Sequence, residues 1–265
     1  MATDTAPTWA RQQRRGNDAS VLVCLQEEGN KPPLFFAPAG HGDLRRFRAH
    51  VAGLGRDQPV YGLRPPPAKL GLTLPAKPVD WLVSMYVESL KHVQPTGPYR
   101  LVGYSLGGIF AVEIARELDR RGDEVDLLVA LDPPVKCAMW IAILYLSLYK
   151  LCNLTSLTNR VRWSIIRRWD SRLLRWASDE GLCTQTAVLK GHDLGPCPVR
   201  VTCVRPRRSW IQFLDFTCIG RSWSQVVQNG QDIHWIVCTH YDILEREQVE
   251  SIVAVLRDSL DRKAP

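Results

Sequence analysis

Pro98-Tyr99-Arg100-Leu101-Val102-Gly103-Tyr104-Ser105-Leu106-Gly107-Gly108 is the stretch whose reading decides the fold. Tyr99 to Tyr104 has the apolar and aromatic composition of a strand. It runs without a spacer into Gly103-Tyr104-Ser105-Leu106-Gly107, a G-x-S-x-G. Ile109, Val112, Ala115 and Leu118 then recur at helical spacing, and Arg120-Arg121-Gly122 closes the helix with a cationic last turn and a glycine stop. Strand, sharp turn and helix are the context in which this motif carries chemistry. Such a turn holds the serine in a strained backbone conformation with its hydroxyl presented, at the positive end of a helix. A glycine-rich packing turn would account for the glycines and leave the serine unexplained. Ser105 is therefore the expected nucleophile.

Outward from this point the chain alternates short apolar runs with helical patterns, the sign of a mostly parallel sheet with crossover helices. Leu34-Phe35-Phe36-Ala37 and Val60-Tyr61-Gly62-Leu63 read as strands, with Leu44, Phe47, Val51 and Leu54 at helical spacing between them. A helix is expected over about 78–93, and Val125 to Leu131 reads as a buried parallel strand. After Asp132-Pro133-Pro134 the pattern becomes purely helical through residues 138–178, and strands return near 198–204 and 232–238. A last helix carries Val249, Ile252, Val253, Leu256 and Leu260. The expected fold is α/β, with a mostly parallel central sheet flanked by helices. Residues 1–19 form a flexible tail, residues 20–265 the single domain, and a helical lid insertion, about 135–190, enters after the sixth strand.

A serine hydroxyl is a poor nucleophile at neutral pH, so it needs a base, and the base an orienting acid. The α/β-hydrolase order is Ser, then Asp or Glu, then His. Downstream of Ser105 the candidate bases are His192, His234 and His240. His234 alternates with Ile233 and Trp235 inside a strand and reads as an ordinary sheet residue, and His192 lies in a loop with no element to position it. His240 follows the last strand and precedes the final helix, which makes it the expected base. Asp132 sits at the carboxyl end of the strand Val125–Leu131, on the edge where such a sheet presents functional side chains. It is the expected acid, with Asp242 as its rival. For the oxyanion, one donor is the N–H of Leu106. The second is expected from the small-residue loop Pro38-Ala39-Gly40-His41-Gly42, with Ala39 the best choice.

The chain has 265 residues, 45% of them hydrophobic, ample for one α/β domain and incompatible with wholesale disorder. Eight cysteines show no C-x-x-C pair and no metal-ligand spacing, so neither a metal site nor a disulfide framework is expected. The longest near-continuous apolar stretch, Ala138 to Tyr149, is shorter than the roughly 20 residues of a spanning helix. No secretory signal is evident, and a cytoplasmic protein with reduced thiols is the expectation. The net charge of +7 concentrates in two places. Residues 160–177 hold Arg160, Arg162, Arg167, Arg168, Arg172 and Arg175 against Asp170, and residues 198–222 hold Arg200, Arg205, Arg207, Arg208 and Arg221 against Asp215. Both patches fit docking on an acidic partner at least as well as nucleic acid, which is not an expected ligand. In the first patch Val161, Ile165, Trp169, Leu173 and Trp176 form an apolar stripe between the arginines. A basic amphipathic helix can also lie on a membrane surface, a contact we do not favour.

At these residues the chain resembles the thioesterase domains of nonribosomal peptide and polyketide synthases, within the α/β-hydrolase superfamily. The resemblance runs from about Val21 to Leu260. It rests on Pro33-Leu34-Phe35-Phe36-Ala37-Pro38-Ala39-Gly40, the elbow quoted above, Leu131-Asp132 and His240-Tyr241-Asp242-Ile243-Leu244. The Gly-Tyr-Ser-Leu-Gly-Gly elbow resembles chain-releasing rather than proofreading members. Cys238 stands where the family usually has glycine, and the insertion, with Trp140, Trp163, Trp169 and Trp176, matches no member's lid. A chain of this length reads as either freestanding or excised. The resemblance implies release of an acyl, polyketide or peptidyl chain from the phosphopantetheine of a carrier protein, by hydrolysis or cyclisation, with no cofactor of the enzyme's own. It places substrate and carrier contacts in the lid, where Arg167, Arg168, Trp169 and Trp140 are the candidates. The competing readings are a carboxylesterase or lipase on small oxygen esters, an acyltransferase to an acceptor other than water, and a silent binding module that kept the fold.

Overall fold

The computed structural model describes residues 21–39, 42–66, 76–133, 188–189, 192, 194–207, 226–240 and 242–262. Its strands are β1 (Leu22–Gln26), β2 (Leu34–Ala37), β3 (Val60–Leu63), β4 (Tyr99–Tyr104), β5 (Val125–Leu131), β6 (Val201–Pro206) and β7 (Gln231–Ile236). They form one sheet in the order β1-β3-β2-β4-β5-β6-β7. Among the described residues only β1 runs antiparallel, against β3, and every other pairing there is parallel. The long helices are α1 (Arg48–Leu54), entered through a 3-10 turn at Leu44–Phe47, α2 (Pro78–Val93), α3 (Leu106–Arg120) and α4 (Val249–Asp261).

The strand alternation sorts side chains into two apolar layers. Phe35, Ala37, Leu101, Leu128 and Ala130 face the layer that α2 and α3 cover. Their neighbours Leu34, Phe36, Val102, Val129 and Leu131 face the layer under α1 and α4. Because both faces are covered, the middle strands are buried along nearly their whole length, as the continuous apolar runs predict. In the first layer Tyr86 of α2 meets Phe110 of α3 edge-on, with ring centroids 6.0 Å apart. In the second, α1 and α4 approach so closely that a Cβ at Gly53 would lie 2.7 Å from a Val253 methyl. His50 of α1 is buried beside Phe47, and burial lowers its pKa from 6.5 to about 4.

Several expectations are refined. The expected helix over 78–93 forms as α2 (Pro78–Val93), with Pro78 in its first turn, where a missing N–H costs nothing. The last two strands are displaced from the expected 198–204 and 232–238, because β6 begins at Val201 and ends at Pro206, and β7 ends at Ile236. Val125–Leu131 is the fifth strand among the described residues, because one antiparallel strand alone, β1, precedes β2 there. The expected tail over 1–19 lies outside the described residues, as does nearly all of the expected lid. Among the described residues no helix is long and apolar enough to cross a membrane.

Candidate active site

Three strand ends deliver the candidate residues to one edge of the sheet. Ser105 stands between β4 and α3 with φ 54° and ψ −127°, a region that non-glycine residues rarely occupy. The geometry around it requires its glycines. A Cβ at Gly103 would sit 2.2 Å from the Gly107 carbonyl oxygen, and one at Gly108 would sit 2.6 Å from the Pro133 Cβ. The turn is pinned by the Ser105 N–H donating to the Leu131 carbonyl at 3.0 Å and the Gly108 N–H donating to the Ser105 carbonyl at 2.8 Å. The strain at Ser105 is thus held by β5 on one side and α3 on the other.

Asp132 follows β5 directly and also has a positive φ, 43°. Its N–H donates to the Val204 carbonyl of β6 at 2.8 Å, which fixes the turn against the neighbouring strand. His240 arrives on the loop after β7, and its Nδ1 lies 2.7 Å from Asp132 Oδ2. An ionised carboxylate only accepts, so Nδ1 carries the proton and Nε2 presents a lone pair. That lone pair faces Ser105 Oγ at 3.1 Å, within reach for taking the hydroxyl proton. All three side chains are buried, Asp132 completely. Ser105, His240 and Asp132 are brought together from positions far apart in the chain, in an arrangement able to activate a hydroxyl for attack on an acyl carbon.

The rival residues lie elsewhere. His192 Nε2 is 2.8 Å from Glu113 Oε1, within hydrogen-bond distance of a buried carboxylate that also pairs with Arg116 at 2.8 Å. His234 stands in β7 opposite Val204 of β6. Asp242 accepts from the Thr239 hydroxyl at 2.5 Å and from the Thr239 N–H at 3.2 Å, and so braces the loop that carries His240. Cys238 is buried beneath the same loop in the layer that α4 covers, and burial pushes its thiol up to about 12. It is therefore a packing residue at neutral pH.

The two expected oxyanion donors occupy adjoining segments. Leu106 opens α3, where the first N–H groups have no partner within the helix. Ala39 is buried in the loop after β2, and this loop lies directly against the elbow: a Cβ at Gly107 would be 3.0 Å from the Ala37 carbonyl oxygen and 3.2 Å from that of Pro38. Arg167, Arg168, Trp169 and Trp140 lie outside the described residues.

Two residues of the site were missed by the sequence reading. The Tyr104 hydroxyl donates to the His240 carbonyl at 2.8 Å, a role that its place at the strand end and as the variable residue of the elbow does not announce. Arg205, counted in the second basic patch, is 6% exposed, and its Nη1 donates to Asp132 Oδ1 at 3.3 Å. Arg200 of the same patch is paired with Asp232, at 2.6 Å. These two arginines of the second patch are thus paired, because local counting omits acids that strand pairing brings from other parts of the chain. A charged side chain at the end of the apolar run Val201-Thr202-Cys203-Val204 was the signal available for Arg205.

With this geometry in place, similarity to known proteins becomes informative. Residues 32–143 match the thioesterase domain family. Malpibaldin synthetase of Mortierella alpina is 38% identical over 116 residues, which are 44% of this chain and 2% of that synthetase. The chain spans between 3% and 13% of the length of four further synthases and synthetases of this kind. Among solved thioesterase structures, the NocB thioesterase domain in covalent complex with a fluorophosphonate nocardicin G analog superposes with a TM-score of 0.66. It is 20% identical, covering 91% of this chain and all of that one. The SrfTE thioesterase domain, described in the cyclization of the lipopeptide antibiotic surfactin, gives a TM-score of 0.61 at 17% identity, over 94% of this chain and 99% of that one. The resemblance to synthase thioesterase domains holds, and the fold is theirs.

Proposed function

We propose that this chain is a chain-releasing thioesterase that frees an acyl, polyketide or peptidyl group from a phosphopantetheine carrier protein through an acyl-enzyme. The observation that carries the reading is the continuous relay Ser105 Oγ to His240 Nε2 and His240 Nδ1 to Asp132 Oδ2, at 3.1 Å and 2.7 Å, set on a strained elbow. Ser105 Oγ attacks the thioester carbonyl while His240 Nε2 takes its proton, and Asp132 stabilises the resulting imidazolium. The N–H groups of Leu106 and Ala39 receive the developing oxyanion. His240 returns the proton to the departing pantetheine thiol, leaving the acyl group on Ser105 as an oxygen ester. Water, or a nucleophile within the acyl chain, then repeats the sequence and gives a free acid or a ring. The lid residues Arg167, Arg168, Trp169 and Trp140 are proposed to meet the carrier and the chain. The family match and the likeness to synthase thioesterase domains support a carrier-bound thioester as substrate.

The experiment is intact-mass spectrometry of carrier proteins loaded with different acyl chains, before and after exposure to the chain. Loss of the acyl mass from the carrier, with free acid or lactone appearing, is the expected result. Turnover of nitrophenyl esters with no action on acyl-pantetheine would replace this reading by a carboxylesterase.

A further inference from the structure

Arg205 is a buried cation that the relay itself does not require. It lies at the carboxyl end of β6 with 6% of its surface exposed, and removing a guanidinium from water is costly unless its charge and its N–H groups are matched. Here both are. Nη1 reaches Asp132 Oδ1 at 3.3 Å and the carbonyl of Pro133 at 3.4 Å. These acceptors belong to consecutive residues of the positive-φ turn that carries the acid. The preceding residue of β6, Val204, accepts the Asp132 N–H at 2.8 Å. One strand end therefore grips the turn by its backbone and its carboxylate together, and it does so on the oxygen that does not face His240. Oδ2 is left turned to Nδ1 at 2.7 Å.

The charge arrangement has a second effect. With His240 neutral, Asp132 and Arg205 compensate each other inside the protein. In a variant without Arg205 the carboxylate would lack that compensation, so a positive charge beside it would be held more strongly there. Among the described residues, the groups around the imidazole include Asp132 from the β5 end, Ser105 and Tyr104 from the β4 end, and Cys238 and Asp242 on its own loop. Among these and Arg205, only Arg205 carries a positive charge. Cys238 is uncharged at neutral pH because burial holds its thiol up at about 12, and Asp242 is taken up by Thr239.

We propose that Arg205 is a positioning residue for serine activation: it locks the Asp132 carboxylate with Oδ2 toward His240, and its charge compensates that carboxylate beside the base. This rests on the reading of Ser105, His240 and Asp132 as a working relay, and it goes beyond it by giving the acid its own partner.

The test uses an alkyl fluorophosphonate, whose addition to Ser105 needs the activated hydroxyl and no knowledge of the natural acyl chain. Its second-order rate of addition is measured by intact mass between pH 5 and 9 for the wild-type chain, Arg205→Met and Arg205→Lys. In Arg205→Met the acid limb of the profile is expected to move up by about one pH unit, with a plateau roughly tenfold lower. Arg205→Lys retains the charge but not the fork, so it is expected to keep the wild-type acid limb with a reduced plateau. An Arg205→Met profile unchanged in limb and plateau overturns the proposal. So does a lower plateau with an unmoved limb, since that is what a purely structural support would give. If circular dichroism shows that Arg205→Met does not fold, Arg205→Lys decides, because a limb that moves up despite the retained charge also overturns it. A wild-type chain that never labels overturns the relay itself, and the inference falls with it; labelling without release from any carrier removes only the thioesterase assignment.

Discussion

The hydroxyl of Tyr104 donates to the main-chain carbonyl of His240 at 2.8 Å, and the two rings stack with centroids 5.1 Å apart and planes inclined by 22°. The residue before the proposed nucleophile therefore holds the proposed base twice, once through its backbone and once through its ring. Tyr104→Phe keeps the stack and removes one buried hydrogen bond, worth about 1 kcal/mol. Turnover of an acyl-N-acetylcysteamine thioester is expected to fall about fivefold with KM little changed. Tyr104→Ala, which also removes the stack, is expected to lose substantially more. Equal rates for the two variants would show that the ring contact does not orient His240.

Ser105→Ala is expected to abolish acyl-enzyme formation. Mass spectrometry after incubation with a fluorophosphonate should find the adduct on Ser105 in the wild-type chain and nowhere in the variant. An adduct at another residue, or turnover by the alanine variant, would remove Ser105 from the mechanism.

The two acids near His240 should separate cleanly. Asp132 accepts from the imidazole, whereas Asp242 braces Thr239. Asp132→Asn is expected to cost on the order of 10⁴ in turnover, the scale found when tautomer control is lost in a serine-protease triad. Asp242→Asn is expected to cost less than about tenfold, through loosening of the His240 loop. The reverse order in steady-state kinetics would reassign the acid.

His50 gives the fold a pH dependence of its own. Its folded pKa is depressed by burial to about 4 from 6.5, so it binds its proton more readily when unfolded. Its contribution is complete above pH 6.5 and is lost as pH falls from there toward 4, amounting to about 3 kcal/mol at the lower limit. Denaturant titrations of the wild-type chain should show this loss, and His50→Leu should flatten it. A variant with the wild-type slope would place the acid sensitivity elsewhere.

The arginines proposed to meet the carrier can be tested through salt. Reversing Arg167 and Arg168 to Glu should slow release from an acidic carrier protein, and the deficit should shrink as ionic strength rises, because such steering is screened beyond about 8 Å at physiological salt. Hydrolysis of a short acyl-N-acetylcysteamine should barely change. Equal losses on both substrates would mean that these side chains support the lid and do not dock a carrier.

Much of the fold and three site residues could be read in the sequence because they leave local marks. A parallel sheet covered on both faces needs continuous apolar strands, and these are visible at Leu34–Ala37, Tyr99–Tyr104 and Val125–Leu131. A strained elbow needs small residues where chain crosses chain, and Gly103, Gly107 and Gly108 mark it. Strand ends followed by turns point to Asp132 and His240. The partners of those residues left no such mark. Arg205 reads as surface charge until β6 is paired beside β5, and only then does its guanidinium meet Asp132, 73 positions earlier. Tyr104 reads as a strand residue until the loop after β7 returns over it, 136 positions later. Apolar periodicity and turn chemistry are properties of neighbours along the chain, so the sequence alone determined the elements and the edge at which they present their chemistry. Charge compensation and ring contact depend on which strands lie side by side, and that was decided only when both apolar layers were buried together.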